Sequence, residues 1–490
     1  MGKIIARIIR TKNIEYYLLS FILLLGFLVR LYKINNPVAD WHAFRQADTA
    51  SVSRLFLESG INLLIPRYYD LSSTQSRMFN PQGYRFVEFP IYNAIHAILA
   101  KYVTAIPFEV WGRLVSVFFA LGSGYLVFLI GKKFLGKWGG VLSSFFFLLL
   151  PYNVYFTRVI LPEPMAVFFS LAGVYCFIKY FDEEKDLFLY VSGIWFALGL
   201  LIKPFILFYT IPLIYLLLQK YGFKGIFKTR RLLVKLLIYL GIILVPFILW
   251  RAWMSRFPAG IPEWKWMFNG DGIRFRPAFF RWIFAERFGR LILGYWGLIP
   301  FVLGILATVK KNLFNLMFFI GMLFYVIIFA TVNVRHDYYQ MYLIPAMALL
   351  LAQGVIYMWK SEHFNRILSR TILIFSVLIM FEMGAFQAKE YYKINHPEIF
   401  EAGKAIDRIA PKNAIIVAPY NGDTTFLYYT KRKGWPVVDN SIDEIIKRGA
   451  TYYVSISLND TDTLNFSKRF KTVEKTPDYI ILDLTKPIAK

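Results

Sequence analysis

Several side chains of the kinds that catalyse group transfer fall within one short stretch of the sequence. Residues 38–93 hold, in this order, Asp40, His42, Arg45, Asp48 and Glu88. A carboxylate can act as a general base, and an arginine can bind an anionic group through two parallel hydrogen bonds. Because this stretch directly follows the first apolar segment, we expect chemistry beside a membrane, on an anionic, lipid-linked substrate.

Further ionisable residues lie at the ends of later apolar segments. Arg158 and Glu163 come where one segment starts, Lys203 comes where the next one ends, and Arg335 and His336 precede a third. Ionisable side chains at membrane depth are costly when they face lipid, so they usually face an interior cavity. We therefore expect these residues to join the first group in a mixed acidic and basic site.

Most of these residues also have an ordinary structural explanation. Asp40 could cap a helix that starts near residue 41, and Asp48 could pair with Arg45 on the same helix face. Glu163 could be an interfacial anchor, and the Lys203 side chain could extend to the headgroups. Their joint occurrence on one side of a membrane is harder to explain in this way than any single residue.

The composition predicts a membrane protein. The chain has 490 residues, of which 57% are hydrophobic and 19% aromatic, and its formal net charge is +25. Many windows reach the length of about 18 apolar residues that can span a bilayer. Since Lys and Arg accumulate in the cytoplasmic loops of such proteins, we expect no nucleic-acid partner. The single cysteine, Cys176, excludes an intrachain disulfide.

The apolar segments predict a polytopic α-helical protein with about eleven transmembrane helices. Basic residues before the first segment place the N-terminus in the cytoplasm, so the loop 32–103 is external. Within it, residues 89–103 predict an amphipathic helix along the interface. The external loop 253–290 is also basic, which is an exception to the rule. The predicted spans are about 16–31, 109–130, 138–154, 164–181, 187–203, 205–219, 233–252, 291–309, 313–331, 339–358 and 371–388.

From about residue 389 the composition changes and predicts a second domain. Residues 414–420, 451–457 and 479–485 are typical of buried strands. Between them, Ser441 and Glu444 have the spacing of a capping box, which predicts the start of a helix. We therefore expect a transmembrane domain over 1–388 and a small α/β extracytoplasmic domain over 389–490.

An ordered set of short motifs marks a resemblance. The motifs are DWHAFRQADTA (40–50), FVEFPIYN (86–93), RVILPEP (158–164), LLIKP (200–204) and RHDYYQMYLIP (335–345). In order and spacing the set resembles the GT-C superfamily of membrane glycosyltransferases, and especially the group that contains protein O-mannosyltransferases and the lipid A aminoarabinose transferase. The resemblance implies a polyisoprenyl-phosphate-linked sugar donor, transfer outside the cytoplasm, and an inverting mechanism with an aspartate of the first loop as base.

The resemblance also suggests roles for individual residues. Asp40 is the preferred base, because Asp40-Trp-His42 is similar to the Asp-x-x-His of the mannosyltransferases, while Asp48 competes for that role. Glu163 stands where some relatives have an aspartate. The sequence departs from the group at Phe89-Pro90, where relatives often have Lys-Pro. The candidates for donor-phosphate binding are Arg45, Arg158, Lys203, Arg335 and His336.

The prediction is therefore a glycosyltransferase that uses a polyisoprenyl-phosphate sugar and a lipid, glycan or protein acceptor, among membrane lipids, in a bacterial inner membrane. No cofactor is required by the pattern, although Glu88 and His42 could hold a divalent metal. Two alternatives stay open: a transporter (flippase) of lipid-linked glycans, and a membrane-anchored binding protein that works through its C-terminal domain.

Overall fold

The computed structural model describes residues 13–308 and 313–488 and divides the chain into two compact units. The first unit contains the residues up to Ile34, Arg113–Trp250 and Trp264–Tyr391. The second contains Asn35–Gly112, Arg251–Glu263 and the residues from Tyr392 onward. The second unit thus contains both the first loop and the C-terminal region. The domain boundary at residue 389 stays a prediction.

Helices dominate the chain, as its long apolar segments predict. In chain order the α-helices are α1 (Ile14–Arg30), α2 (Ala43–Ser59), α3 (Ile91–Tyr102), α4 (Phe108–Leu149), α5 (Pro151–Phe156), α6 (Glu163–Glu183), α7 (Asp186–Ile202), α8 (Ile211–Lys228), α9 (Arg230–Met254), α10 (Trp266–Asn269), α11 (Pro277–Phe280), α12 (Leu298–Thr308), α13 (Phe314–Ile328), α14 (Ala330–Arg335), α15 (Ile344–Lys360), α16 (Arg366–Ala388), α17 (Glu398–Ile409), α18 (Thr425–Thr430), α19 (Ile442–Lys447) and α20 (Thr461–Arg469). Shorter 3-10 helices cover Pro204–Thr210, Pro258–Gly260, Ile273–Phe275, Asp337–Leu343 and Lys389–Tyr392, and a π-helix covers Arg281–Ile292.

The predicted polytopic helical architecture is confirmed. Each predicted span overlaps a helix, but the number eleven stays a prediction. In the described part of the chain, six helices are long and apolar enough to cross a membrane, and they are Phe108–Leu149, Glu163–Glu183, Pro204–Lys228, Arg230–Met254, Asp337–Lys360 and Arg366–Tyr392. Three shorter apolar helices accompany them, at Asp186–Ile202, Leu298–Ala307 and Phe314–Ile328.

Residues with a positive φ mark where helical segments begin and end. The two spans predicted on either side of residue 136 lie within α4, which Gly136 divides into two helical parts, because its φ of 76° is not helical. The span predicted from residue 291 begins only at Leu298, because Gly294 and Tyr295 have φ values of 49° and 56°. A positive φ cannot continue a right-handed helix.

The second unit combines a helix pair with a small sheet. Its strands are β1 (Ile416–Val417), β2 (Gly434–Trp435), β3 (Tyr452–Ser455), β4 (Phe470–Lys475) and β5 (Ile480–Pro487). The sheet order is β2-β1-β3-β5-β4, with β1 parallel to β2 and β3, and β5 antiparallel to β3 and β4. The predicted α/β class of the C-terminal region is therefore confirmed, as is the helix cap, since Ser441 accepts a hydrogen bond from the Glu444 amide.

A segment of the first loop covers the outer edge of this sheet. The Leu71 amide donates to the Gly434 carbonyl at 2.8 Å, and the Gly434 amide donates to the Tyr69 carbonyl at 2.9 Å. These bonds occupy backbone groups of β2 that an edge strand would otherwise expose. The first loop and the C-terminal region are thus hydrogen-bonded into one unit.

Candidate functional site

Asp40 lies just before helix α2 in the second unit. The helix begins at Ala43, and His42 precedes it in the left-handed region at φ 56°. Asp40 is therefore not the cap of this helix, contrary to the structural explanation considered from the sequence. Its carboxylate is buried, and Oδ1 accepts a hydrogen bond from Gln46 Nε2 at 2.6 Å. The first turn of α2 thus positions this carboxylate.

Arg45 and Glu88 form a buried ion pair in the same unit. Arg45 Nη2 donates to both carboxylate oxygens of Glu88 at 2.8 Å. A buried pair of this kind is strongly held, because removing either partner leaves a buried charge. This contact neutralises the charge of Arg45, which weakens the case for Arg45 as a phosphate ligand. It also engages Glu88, one of the two candidate metal ligands.

Asp48 has both of its carboxylate oxygens engaged. Oδ2 lies 2.6 Å from Arg85 Nη2, and Oδ1 accepts from the Thr424 hydroxyl at 2.7 Å. The sequence suggested Arg45 as the partner of Asp48, whereas the structure pairs Asp48 with Arg85. Asp48 therefore connects helix α2 to a strand-like segment of the loop and to the C-terminal region.

A second buried carboxyl group, Asp70, lies near Asp48. The Tyr68 hydroxyl donates to Asp70 Oδ2 at 3.2 Å, and the Ser72 amide donates to Oδ1 at 2.7 Å. Burial raises the pKa of Asp70 to about 6, and the negative charge of Asp48 adds to the shift. This group therefore titrates close to neutral pH.

In the first unit, Glu163 and Lys203 form another buried ion pair. Glu163 is in the first turn of α6, where the helix dipole favours a carboxylate. Lys203 follows the last residue of α7, and its Nζ lies 3.1 Å from Glu163 Oε1. Both side chains are buried. The structure thus joins the two residues that the sequence placed at the ends of neighbouring spans.

The other predicted phosphate ligands differ in exposure. Arg158 is fully buried and donates to the Lys33 carbonyl at 2.5 Å. The Arg335 side chain is 58% exposed and lies 3.4 Å from Asp271. His336 packs against aromatic rings, with the ring of Tyr338 at 5.7 Å. Of the candidate cations in this unit, Arg335 is therefore the most accessible to a ligand.

Asp337, which the sequence placed with Arg335 and His336 before a later span, is a hub of the first unit. Its Oδ2 accepts from the Tyr391 hydroxyl at 2.8 Å and lies 3.7 Å from Arg287 Nη1. Its carbonyl accepts from the Tyr152 hydroxyl at 2.6 Å. Its position next to His336 in the sequence was a usable signal, whereas its partners lie far away in the chain.

Comparison with known proteins adds a sequence match and a fold. The family model for dolichyl-phosphate-mannose-protein mannosyltransferase matches residues 20–257. ArnT from Cupriavidus metallidurans, bound to undecaprenyl phosphate, has 11% sequence identity and a TM-score of 0.63, over 95% of this chain and 97% of that one. The oligosaccharyltransferase of Archaeoglobus fulgidus, in complex with Zn and sulfate, has 11% identity and a TM-score of 0.59, over 90% and 68%. No curated protein matches the sequence.

These matches agree with the ordered motifs of the sequence and with the helical fold. The family model covers a little under half of the chain, and the solved structures show that the chain has a GT-C-like fold. At 11% identity the structural likeness shows the fold alone. The roles of individual residues in this protein, and the convergence of its charged residues on one cavity, stay predictions.

The residues of this protein do not fit the predicted metal. Across residues 13–308 and 313–488, no group of three or more His, Cys, Asp or Glu side chains is arranged to hold a metal ion. Glu88 is held by Arg45. His42 packs against Trp41, with the two rings 5.1 Å apart. No step of the mechanism is therefore assigned to a metal.

Three partners of the loop residues were missed from the sequence. Gln46, Arg85 and Thr424 each hold one of the candidate aspartates. Arg85 directly precedes the motif that contains Glu88, so its charge was visible in the sequence. Thr424 lies 376 residues from Asp48 in the sequence, and no local pattern connects them.

Proposed function

We propose that this protein transfers a sugar from a polyisoprenyl-phosphate donor to a hydroxyl or amide acceptor at the external face of the membrane. The family match and the GT-C fold support sugar transfer. Undecaprenyl phosphate bound to ArnT, which shares this fold, supports the class of donor. The acceptor is a lipid, a glycan or a protein.

Asp40 is the general base of the proposed reaction. The observation that carries this assignment is that both oxygens of its competitor, Asp48, are already held by Arg85 and Thr424. A base needs a carboxylate oxygen that can approach the acceptor. Because Arg85 and Thr424 contact both oxygens of Asp48, we assign Asp48 a structural role. The position of the Asp40 side chain is set by its place before α2 and by the hydrogen bond that it accepts from Gln46.

The proposed transfer is a single inverting displacement. The acceptor atom attacks the anomeric carbon and gives its proton to Asp40. The bond between that carbon and the phosphate oxygen breaks, and the phosphate leaves with the electron pair. A positioned cation stabilises the negative charge that develops on the leaving phosphate.

Arg335 is the best candidate for that cation. Among the predicted phosphate ligands of the first unit, Arg335 has the most exposed side chain. Arginine can bind a phosphate through two parallel hydrogen bonds. The charge of Lys203 is balanced by Glu163, and the charge of Arg45 by Glu88, so each of these pairs brings no net positive charge.

Transfer assays with two matched variants test the proposal. Purified protein is incubated with a panel of labelled polyprenyl-phosphate sugars and with lipid, glycan and peptide acceptors. Asp40→Asn keeps the size of the side chain but removes the base, so turnover should fall by about 10²–10⁴ while donor binding persists. Asp48→Asn keeps a hydrogen-bonding group beside Thr424 and should be milder.

The outcomes separate the parts of the proposal. If Asp48→Asn is inactive and Asp40→Asn is active, the roles of the two aspartates are reversed and the transferase stands. If both variants transfer sugar at the wild-type rate, the catalytic role of the first loop is wrong. If the wild type transfers no sugar from any donor of the panel, the donor class is wrong.

A further inference from the structure

The basic loop before α12 contains a surface that sugar transfer does not explain. We call residues 264–296 the interfacial segment. It follows α9, one of the helices able to cross a membrane, and precedes the apolar helix α12. Because the segment ends next to the apolar helix α12, we infer that it lies near a membrane surface. It has six Lys and Arg residues against two Asp and Glu residues.

Two of these arginines have structural roles inside the first unit. Arg274 donates to the carbonyls of Ile327 and Ile328, both at 2.7 Å, at the end of α13. Arg287 donates to the Val334 carbonyl at 2.9 Å. Carbonyls at the end of a helix lack partners within the helix, and a guanidinium satisfies them. These contacts explain why residues 274 and 287 are arginines, but they do not explain the other four basic residues of the segment.

The remaining cations of the segment point outward among exposed aromatic rings. The exposed cationic residues are Lys265, Arg276, Arg281 and Arg290. The exposed aromatic residues are Trp264, Phe275, Phe280, Trp282, Phe284, Tyr295 and Trp296. Only Arg290 has an ion-pair partner among the described residues, Glu286 at 2.9 Å. Arg276 directly follows Phe275, which is 82% exposed, and Arg281 lies between Phe280 and Trp282.

The alternation of cations and aromatic rings fits one environment. In water, so many exposed rings would form an aggregation-prone surface, and in the acyl core an arginine would be costly. The headgroup region accommodates both, because rings such as Trp and Tyr sit at the interface and guanidinium groups bind lipid phosphates. The inner face of the π-helix packs through Ile283, Phe288 and Ile292, so its outer face is left for lipid.

We propose that the interfacial segment binds the headgroups of anionic phospholipids. The positive excess of the segment distinguishes these lipids from zwitterionic ones, since each Lys or Arg near the surface adds attraction to an anionic leaflet. The exposed cations lie on an outer surface with aromatic neighbours, where bulk lipid has direct access. The proposal does not depend on the sugar-transfer function.

The test measures lipid selectivity in the full-length protein. Tryptophan fluorescence in bilayers is quenched by brominated phosphatidylglycerol or by brominated phosphatidylcholine, and the ratio of the two binding constants is determined. Arg276→Gln/Arg281→Gln should lower this ratio by about fivefold for each charge removed, equivalent to about 1 kcal/mol. Added salt should lower the wild-type ratio as well.

Two variants serve as controls. Lys468→Gln/Lys471→Gln removes the same charge from exposed positions of α20 and β4, and the ratio should stay at the wild-type value. Arg276→Lys/Arg281→Lys keeps the charge and should keep most of the preference.

Three results would overturn the proposal. The first is an unchanged ratio in the Gln variant of the segment. The second is an equal decrease in the variant of α20 and β4. The third is a ratio near one in the wild type combined with selective binding of polyprenyl phosphate, which would assign this surface to the donor instead.

Discussion

At the scale of single residues, several buried charges are held in ion pairs, so a single substitution there also leaves the partner charge buried and unpaired. Lys203→Ala leaves Glu163 buried without its cation. Breaking a buried pair in this way costs about 3–5 kcal/mol. We expect a large decrease in the unfolding temperature of this variant in detergent. The double variant Glu163→Gln/Lys203→Met removes both charges and should recover most of the lost stability. Donor use is therefore measured in this double variant and not in Lys203→Ala.

Arg335 allows a cleaner measurement, because its side chain is largely exposed. Arg335→Ala should leave the unfolding temperature nearly unchanged. If Arg335 binds the donor phosphate, the loss of a hydrogen bond to a charged group should weaken donor use by about 1.5–3 kcal/mol, which appears as a higher KM or a lower kcat/KM. Arg366→Ala, also exposed, is the matched control. Wild-type kinetics for Arg335→Ala would remove this residue from the site.

Asp70 gives the stability of the protein a pH dependence whose sign can be stated. Its pKa is about 6 in the folded protein, against about 3.9 in an unfolded chain. The folded state therefore binds the proton more tightly, and this contribution to stability is full below about pH 4 and is lost as the pH rises through about 6. Asp70→Asn stays neutral. It should be more stable than the wild type above pH 7, by on the order of 3 kcal/mol, and the difference should shrink toward pH 4. Parallel unfolding curves across this range would contradict the assignment.

At the scale of elements, Thr424 connects the C-terminal region to the helix that follows Asp40. Its hydroxyl contacts Asp48 Oδ1 at 2.7 Å and the Phe44 carbonyl at 3.3 Å, both in α2. Thr424→Val keeps the shape and removes the donor. If α2 positions the base, kcat should fall by about tenfold while KM for the donor stays constant, because small displacements of a catalytic group are costly.

Thr424→Ser is the matched control for this contact, since it restores the hydroxyl and should restore kcat. A decrease in unfolding temperature with unchanged kcat would show that the contact only stabilises the fold. Equal loss of kcat in the Val and Ser variants would show that packing of the methyl group matters more than the hydrogen bond.

The elements also show how far the sequence could predict this protein. Helices with long apolar runs and the Ser441 cap follow from local patterns, and the structure has them. The start of α2 was misplaced, because the left-handed conformation of His42 has no signature in a non-glycine residue. Strand β2 has two residues, which is too short for an alternation pattern. The pairing of Arg45 with Glu88 and of Asp48 with Thr424 depends on tertiary contacts that no local spacing encodes.

At the scale of the whole molecule, the distribution of charge predicts a direction of insertion. The loop region from the end of α8 to the start of α9 contains Lys224, Lys228, Arg230 and Arg231, and such basic regions stay in the cytoplasm. Counting the predicted spans from this region predicts that the first loop and the C-terminal region lie outside. The basic interfacial segment then lies outside as well, and its contacts with helix ends and its proposed lipid ligands explain why it departs from the rule.

Cysteine labelling tests this direction for the whole chain. Cys176, the native cysteine, is first replaced by alanine, and Asn440→Cys introduces a thiol at an exposed position of the C-terminal region. In intact cells, a membrane-impermeant maleimide should label this thiol, because residues 392–488 are expected outside. Thr229→Cys, exposed in the basic loop between α8 and α9, should react only after permeabilisation. The reverse result for both positions would invert the topology and place Asp40 in the cytoplasm. Labelling of both thiols in intact cells would mean that the odd number of spans predicted between residues 229 and 440 is wrong.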